Sequence, residues 1–262
     1  MLISTAAPPR AASLYAYDSR FFDTADRTAA ISADHVVRLL TEQFAISSVL
    51  DLGCGRGVWL SIWQQHGAAD IQGVDGPYID PGTLHIPRSR FLARDLAQPL
   101  VLERQFDLVE SLEVAEHIPE RAADRFVDSL VRHGKLILFS AATPGQGGEN
   151  HINEQPPAYW QAKFAARGYD LFDFLRPRLA GNRDVYLWYR HNVFLYVHRS
   201  IVGSLPPAIA ASGIPAGQAP EDTAPYWARL RKMMVRCLPR PAVDGLARFT
   251  HTLRNIVHSA RS

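Results

Sequence analysis

Short apolar runs alternate with amphipathic stretches over most of the chain, and this alternation predicts the fold class. Each run is too short for a helix and is bounded by turn residues, which is typical of a buried strand. The stretches between the runs repeat their apolar residues at helical spacing. Strands and helices that alternate in this way form an α/β fold with a doubly wound, mostly parallel sheet. The sequence predicts seven strands, at residues 49–52, 71–75, 90–96, 106–112, 135–140, 169–175 and 192–198.

The first predicted strand runs into three glycines at alternating positions, Gly53, Gly55 and Gly57. Apolar residues at helical spacing follow, so the sequence predicts a strand, a glycine turn and a helix. Glycine adopts positive φ and lets a ligand lie against bare backbone, which makes this arrangement suitable for cradling a nucleotide. The competing interpretation is an ordinary tight turn between a strand and a helix.

Two acids near this turn bear on which nucleotide it would hold. Asp75 ends the second predicted strand, at about the distance downstream where nucleotide-binding folds place a carboxylate for the ribose hydroxyls. Asp51 stands just before the turn, where it would repel a pyrophosphate but suit a positively charged ligand. The glycine spacing is G-x-G-x-G, whereas dinucleotide folds expect G-x-G-x-x-G. An NAD-dependent oxidoreductase is therefore the less favoured alternative, and a solvated turn acid is the alternative for Asp75.

The chain resembles the class I S-adenosylmethionine-dependent methyltransferases, specifically the bacterial type 11 group. The glycine turn carries the resemblance together with a second passage, FDLV at residues 106–109 followed by EHIP at residues 116–119. The resemblance covers about residues 32–198. It implies a Rossmann-like fold with an antiparallel last hairpin, and S-adenosyl-L-methionine as the cofactor. The cofactor-binding residues that it implies are Asp51, Gly53, Cys54, Gly55, Gly57, Asp75, Gly76, Asp95, Leu96 and Ser111.

The resemblance also implies individual roles within that set. Asp75 would accept hydrogen bonds from both ribose hydroxyls, and Asp95 would take the adenine amino group. Leu96 would supply a backbone contact. Arg94 leaves an alternative open, because it can hold Asp95 in a surface ion pair. S-adenosylmethionine carries a sulfonium and an ammonium but no phosphate, which agrees with an acid at position 51.

His117 and His151 are the candidate catalytic residues. Each lies on a loop that follows a strand expected to be central in the sheet. A methyl group on a sulfonium is already activated, so a hydroxyl acceptor mainly needs alignment and a group that takes its proton. The alternative for either histidine is a hydrogen-bonded loop residue without a chemical role.

A metal site is a further hypothesis that the resemblance raises. Glu113, Glu116, His117 and His151 look like the magnesium-binding set of methyltransferases that act on a terminal RNA ribose hydroxyl or on catechol-type quinone precursors. Carboxylates with imidazoles suit a hard or borderline cation that binds two oxygens of a diol. Many relatives with the same EHIP string need no metal, and there Glu116 and His117 only shape the loop.

The two ends of the chain differ from the middle. Residues 1–31 are interpreted as an N-terminal arm, either packed on the domain edge or closing over the cofactor as a lid, and Ser32 is a candidate N-cap of the following helix. Residues 32–202 form the predicted methyltransferase domain. Residues 203–225 are rich in Pro, Ala and Gly, which predicts a linker.

Residues 226–262 predict a basic amphipathic helical tail, with eight Lys and Arg residues against the single acid Asp244. Such a segment either lies on an anionic membrane or packs on a partner. The favoured interpretation is that it folds back on its own domain or on a second copy, so a homo-oligomer is one expectation.

Composition adds few constraints. A net charge of +2 over 262 residues implies no nucleic-acid partner. Two unpaired cysteines and no signal-peptide pattern favour the reducing cytoplasm. The sequence therefore predicts a methyltransferase that acts on a small-molecule or carbohydrate-like acceptor, most favourably at oxygen. A non-catalytic methyltransferase-like scaffold, with the tail as its working part, is the non-enzymatic alternative.

Overall fold

The computed structural model describes residues 19–239 and 241–247. Its strands form one mixed sheet in the order β3-β2-β1-β4-β5-β7-β6-β8. Strands β1 to β5 are mutually parallel, while β7 runs antiparallel to β5 and β6. This confirms the predicted fold class, although the described sheet has eight strands instead of seven. The strands are β1 (Ser48–Leu52), β2 (Asp70–Asp75), β3 (Phe91–Ala93), β4 (Leu108–Leu112), β5 (Leu136–Ser140), β6 (Tyr169–Phe172), β7 (Phe194–His198) and β8 (Gly213–Ile214).

Helices cover both faces of the sheet and bury an apolar core on each side. Helices α1, α2, α5 and α6 pack on one face, and α3 and α4 pack on the other. The helices are α1 (Ser19–Thr41), α2 (Val58–Gln65), α3 (Ala123–His133), α4 (Pro157–Ala165), α5 (Leu175–Leu179), α6 (Leu187–Asn192), α7 (Arg199–Val202), α8 (Pro207–Ala210) and α9 (Tyr226–Arg236). Short 3-10 turns lie at Pro81–Thr83, Arg88–Arg90, Ala115–His117 and Glu120–Ala122.

The central position of β1 determines where ligands can bind. This strand lies between β2 and β4, and all its residues after Ser48 are buried, as expected for a parallel strand covered on both faces. The loops that follow β1, β2, β3, β4 and β5 all leave the same edge of the sheet. In open α/β sheets, ligands bind in the crevice outside these carboxyl ends.

The structure corrects the boundary expected at residue 32. Helix α1 runs without a break through this position, so described residues before and after it belong to one helix. Ser32 is buried, and its hydroxyl donates to the carbonyl of Thr28 (2.7 Å) within the helix instead of capping a new one. Serine back-bonding of this kind is compatible with a helix interior. Residues 1–18 of the proposed arm lie outside the described residues.

The segment at residues 203–225 also differs from the linker that its composition predicts. It contains α8 and β8, and Ile209 is fully buried. The guanidinium of Arg176 donates to the carbonyl of Glu221 (2.8 Å), which ties the segment to the domain. These contacts make it an edge of the fold, since apolar burial and backbone pairing offset its Pro and Gly content.

The C-terminal segment returns to the domain through α9, and residues 241–247 are also helical. Arg240 and residues 248–262 of the proposed tail lie outside the described residues. Within the described part of the chain, no helix combines the length and apolar character needed to cross a bilayer.

Candidate active site

The loop between β1 and α2 can only be built with glycine at its key positions. Gly53, Gly55 and Gly57 adopt φ values of 96°, 53° and 83°, which other residues rarely adopt. A Cβ on Gly53 would lie 2.3 Å from a methyl carbon of Val114, and one on Gly57 would lie 2.8 Å from Ile86. The loop therefore packs closely against Val114 and Ile86, and a side chain at either glycine would overlap with them.

Asp75 closes this loop from the end of β2. Its carboxylate accepts from the backbone N–H groups of Gly55 (2.7 Å) and Gly76 (2.6 Å), and from the Tyr78 hydroxyl (2.6 Å). The side chain is buried, and burial raises its pKa although these three bonds favour the charged form. The two sequence signals, the glycine turn and the downstream acid, thus meet in one structural unit.

Two further carboxyl groups lie beneath this unit. Asp51 and Glu110 are cross-strand neighbours in β1 and β4, and both are buried. Burial, reinforced by Glu110 and Asp75, raises the pKa of Asp51 well above its usual range. Burial raises the pKa of Glu110 to about 8, although the indole N–H of Trp63 donates to it (2.8 Å). Sequence analysis missed Glu110, and its only signal was a charge inside a buried strand.

The remaining residues of the proposed cofactor set divide into two groups. Asp95 and Leu96 follow β3 and line a cavity of about 280 Å³, and the Asp95 carboxylate accepts from the backbone N–H of Ala97 (2.9 Å). Cys54 and Ser111 are buried. The Ser111 hydroxyl donates to the carbonyl of Leu52 (2.7 Å), so it links two strands of the sheet.

Glu113 directly follows β4, at the same edge of the sheet as the glycine loop. It adopts a φ of 57°, which is unusual for a residue with a side chain. Its carboxylate accepts from the side-chain amides of Gln146 (2.7 Å) and Asn192 (3.2 Å), and burial raises its pKa. The sequence pattern did not identify Gln146 and Asn192 as hydrogen-bond partners, because they reach Glu113 from distant parts of the chain.

Three of the four residues in the predicted metal set come together. Ligand atoms of Glu116, His117 and His151 all lie within 4.8 Å of one another, and the two imidazole rings meet edge to face with centroids 4.9 Å apart. Glu113 is not part of this group, because its carboxylate is held by the amides described above. The cluster thus has one carboxylate and two imidazoles where the sequence predicted two of each.

Burial favours the neutral forms of Glu116 and His117 in this cluster. Glu116 is 1% exposed, and within the described residues neither of its carboxylate oxygens has a hydrogen-bond partner. Burial, together with the charge of Glu113, raises its pKa well above the usual range, and nearby backbone N–H groups offset this only in part. Burial lowers the pKa of His117 to about 3, so its imidazole is neutral at physiological pH.

Hydrogen bonds fix the orientation of both rings. The Nδ1 atom of His117 lies 3.1 Å from the carbonyl of Asn150, and the Nδ1 atom of His151 lies 2.8 Å from a carboxylate oxygen of Glu154. A carbonyl oxygen only accepts, so Nδ1 of His117 carries the proton and Nε2 carries the lone pair. This is the tautomer that binds a metal or accepts a proton at Nε2.

The C-terminal helix α9 packs on the loop that carries His151. The guanidinium of Arg231 donates to the carbonyl of Gln146 (2.7 Å), and that of Arg236 donates to the carbonyl of Pro144 (3.0 Å). The backbone N–H of Asn150 donates to Asp244 (3.1 Å) from the second helical stretch. The described part of the tail is therefore folded back on its own domain.

The aromatic residues shortly before β7 pack within the domain. Tyr189 is buried and meets Trp59 edge to face with ring centroids 5.2 Å apart. Tyr186 and Trp188 pack against the same core. These side chains consequently act mainly in packing.

Comparison with known proteins places this geometry in a family. A sequence-family model described as a methyltransferase domain matches residues 24–173, which are 150 of the 262 residues. The chain belongs to the class I S-adenosylmethionine-dependent methyltransferases. The model covers the glycine loop, Asp75, Asp95 and the Glu116 cluster, whereas α9 lies beyond it.

Curated relatives of this methyltransferase chain are similar over about half of its length. It is 31% identical over 153 residues to the "Ubiquinone biosynthesis O-methyltransferase" of Stutzerimonas stutzeri, a match that covers 51% of this chain and 60% of the relative. It is 28% identical over 141 residues to the protein of the same name from Neisseria meningitidis serogroup C, covering 49% and 58%. The chain thus spans less than two thirds of these relatives.

Solved structures show that the methyltransferase fold extends further than the sequence similarity. The sugar N-methyltransferase KedS8 from Streptoalloteichus sp ATCC 53650 superposes with a TM-score of 0.55 at 19% identity, covering 76% of this chain and 99% of that one. An O-methyltransferase family protein from Burkholderia thailandensis superposes with a TM-score of 0.52 at 16% identity, covering 68% and 58%. At these identities the similarity establishes the fold alone.

Proposed function

We propose that this methyltransferase transfers the methyl group of S-adenosylmethionine to a hydroxyl oxygen of a small-molecule acceptor. The observation that carries the proposal is the buried cluster of Glu116, His117 and His151 on the loops after β4 and β5. These loops leave the same sheet edge as the glycine loop and Asp75. An imidazole at this edge can take the proton of a hydroxyl. His151, which is oriented by Glu154, is the stronger candidate, because a pKa of about 3 makes His117 a weak base. The curated relatives are named O-methyltransferases, which supports oxygen as the acceptor atom.

On the cofactor side, Asp75 is proposed to hold the ribose hydroxyls and Asp95 the adenine amino group. The cavity beside Asp95 and Leu96 is mainly apolar in its lining, which suits a flat base. Asp51, Asp75 and Glu110 concentrate acidic groups under the glycine loop. A ligand with sulfonium and ammonium groups would favour the charged forms of these acids, whereas a pyrophosphate would be repelled. This argues against the NAD-dependent oxidoreductase.

The proposed reaction is a direct displacement. The acceptor oxygen attacks the methyl carbon, the carbon–sulfur bond breaks, and its electron pair remains on the sulfur of S-adenosylhomocysteine. The hydroxyl proton goes to Nε2 of His117 or His151. The positive charge of the imidazolium that forms favours the ionised form of the neighbouring Glu116, and the resulting carboxylate stabilises the imidazolium. Alignment of oxygen, carbon and sulfur supplies most of the rate, because the methyl group is already activated.

A divalent cation is a second proposal for the same cluster, favoured by the orphaned carboxylate of Glu116. Glu116, His117 and His151 would hold it, and the cation would lower the cost of deprotonating a hydroxyl. With one carboxylate and two imidazoles, the donor set suits a borderline cation such as Mn²⁺ better than Mg²⁺. Glu113, which the sequence included, is engaged with Gln146 and Asn192.

The deciding experiment couples cofactor binding to an acceptor screen. Calorimetry with S-adenosylhomocysteine and with NAD tests the donor site, and we expect binding of the nucleoside alone. Radiolabelled methyl donor is then offered with catechols, sugars and amines. We expect label on a hydroxyl oxygen, and we expect Glu116→Gln to lower the turnover rate at least about a hundredfold. Glu120→Gln, an exposed neighbour, is the matched control.

Metal dependence and the scaffold alternative have separate readouts. If a cation assists, chelation stops turnover and Mn²⁺ restores it better than Mg²⁺. Turnover that resists chelation leaves the imidazoles as bases and removes the cation. Label on nitrogen only would contradict the proposed acceptor. A biological role that survives Asp75→Ala but is lost on deletion of residues 226–262 would favour the scaffold.

A further inference from the structure

The outer surface of α9 exposes large apolar side chains next to arginines. We propose that this outer face binds the surface of an anionic lipid membrane. The proposal goes beyond methyl transfer, because it concerns a helix that lies outside the family match. The face is formed by side chains that are 44% to 75% exposed, namely Tyr226, Trp227, Leu230, Met233, Met234 and Leu238, the last just beyond the end of the helix.

The apolar residues lie on one side of the helix and the buried ones on the other. At about 100° per residue, Ala228 and Val235 fall on the inner side, which packs on the domain, and they are 3% and 7% exposed. Tyr226, Leu230 and Met233 fall on the opposite side, at 75%, 44% and 63% exposure, while Trp227 and Met234 lie about a quarter turn to a third of a turn from the buried residues. The outer face is therefore not the packing surface of α9, and its apolar character needs another explanation.

Basic residues border the outer face on both sides. Arg229 and Arg236 lie along one border and Arg231 along the other, while Tyr226–Arg236 contains no acid. The nearest acids act elsewhere: Asp222 pairs with Lys232 (3.6 Å) on the inner side, and Asp244 accepts from the backbone of Asn150. An apolar face bordered by cations is the pattern of a helix that lies in the interface of an anionic membrane.

The same charges disfavour a second copy of this chain as the occupant. Two α9 helices packed face to face would bring Arg229, Arg231 and Arg236 of each copy together without an acid from either helix. An anionic lipid surface instead complements these charges. Residues 226–262 as a whole carry eight Lys and Arg residues against one acid, so the sequence beyond α9 has the same sign.

The attachment of α9 leaves the outer face available for binding. Arg231 and Arg236 reach the carbonyls of Gln146 and Pro144 from the borders of the face. These bonds hold the helix on the loop that carries His151, so lipid contact requires no detachment of the helix from the domain.

Vesicle sedimentation of the full chain tests this proposal independently of catalysis. We expect the protein to partition onto vesicles of mixed phosphatidylcholine and phosphatidylglycerol, and to remain in solution with phosphatidylcholine alone. Combining Trp227→Ala with Met234→Ala should lower the partition coefficient at least about tenfold. Arg229→Gln should lower it about fivefold. Val101→Ala and Arg125→Gln, at exposed positions elsewhere, are the matched controls and should change nothing.

Three results would overturn the proposal. The first is that the full chain does not partition onto anionic vesicles. This holds even if a variant without residues 248–262 does partition, because the chain itself would then cover the face. The second is partitioning that the Trp227 and Met234 changes leave intact. The third is a dimer, measured by light scattering, that the same changes dissociate. Circular dichroism confirms that the variants remain folded.

Discussion

The carboxyl edge of the sheet has two halves that are built in opposite ways. The first half is the glycine loop with Asp75, and the second half is formed by the loops after β4 and β5, which carry Glu116, His117 and His151. At the glycine loop, Asp75 is buried with donors from Gly55, Gly76 and Tyr78 around its carboxylate. At the second half, the Glu116 carboxylate is equally buried but has no partner among the described residues. We call the first half complete because both oxygens of Asp75 are paired without a ligand, although Oε1 of the nearby Glu110 has no partner among the described residues. On the second half neither oxygen of Glu116 is paired with a described residue.

This difference indicates how each half is proposed to bind. Three of the roughly four acceptor sites of the Asp75 carboxylate are occupied. A ribose that donates two hydroxyls must therefore displace at least one donor, and its binding energy is reduced by the bond that is lost. A ligand at Glu116 relieves an unfavourable burial, because an unpaired buried carboxyl group is costly. Preformed contacts therefore support the donor site, and an unsatisfied group marks the place where chemistry is proposed to occur.

The largest expected effect is that of removing the acid from the complete half. Asp75→Ala deletes the proposed ribose acceptor and also releases the N–H groups of Gly55 and Gly76. We expect affinity for S-adenosylhomocysteine to fall by about 3 kcal/mol or more, which is over a hundredfold. Calorimetry measures the affinity, and Asp80→Ala, an exposed acid in the next turn, is the control. Unchanged affinity would remove Asp75 from the donor site.

The next largest effect tests the close contact between Gly53 on the first half and Val114 on the second half. Gly53 faces Val114, which stands beside Glu113 on the second half. We expect Gly53→Ala to lower the free energy of unfolding by about 2–3 kcal/mol, since it adds both backbone strain and overlap. Gly67→Ala, at φ 100° with no atom within 4 Å of the added carbon, isolates the strain. We expect it to cost about 1 kcal/mol.

A second substitution separates the two contributions. Val114→Ala combined with Gly53→Ala removes the overlap and should recover part of the loss measured by urea denaturation. If the double variant is no more stable than Gly53→Ala, the contact between the halves does not constrain the loop.

The complete half could be predicted from the sequence because its parts are local. Gly53, Gly55 and Gly57 are required by backbone geometry, and Asp75 follows at the end of the next strand. The pattern of apolar runs also predicted the sheet, except for β8. That strand pairs with β6 for only two residues, too few to produce a periodic signal.

The second half could be predicted only in part, because its contacts join distant residues. The EHIP passage indicated Glu116 and His117, and the position of His151 on the loop after a central strand indicated that residue. Nothing in the local pattern indicated that Asn192 and Gln146 would engage Glu113, which lies 79 and 33 residues away from them. Side chains that meet across such separations are determined by packing, which the sequence pattern does not show.

A smaller effect concerns the buried acid beneath both halves. Burial raises the pKa of Glu110 from 4.5 to about 8 in the folded chain, so the folded state holds a proton that the unfolded state releases within this range. The free energy of unfolding should therefore fall as the pH rises from 4.5 toward about 8. Glu110→Gln should lower the slope of this dependence, to which the raised pKa values of Asp51, Glu113 and Glu116 also contribute, while the exposed Glu103→Gln should leave the slope unchanged. Urea denaturation across this pH range measures it, and parallel profiles would contradict the assignment.

The smallest expected effect tests directly whether a bound ribose displaces a hydrogen-bond donor from Asp75. The Tyr78 hydroxyl donates to the Asp75 oxygen Oδ1 (2.6 Å), on the carboxylate that is proposed to receive the ribose hydroxyls. If the ribose displaces this donor, Tyr78→Phe removes a competitor at almost constant shape. Affinity for S-adenosylhomocysteine should then rise by about 0.5–1.5 kcal/mol, or two- to tenfold. Affinity that falls instead would show that the Tyr78 hydroxyl stays in place and supports the bound ribose. Ligand binding at Asp75, like that proposed at Glu116, would then displace no hydrogen-bond donor from the protein.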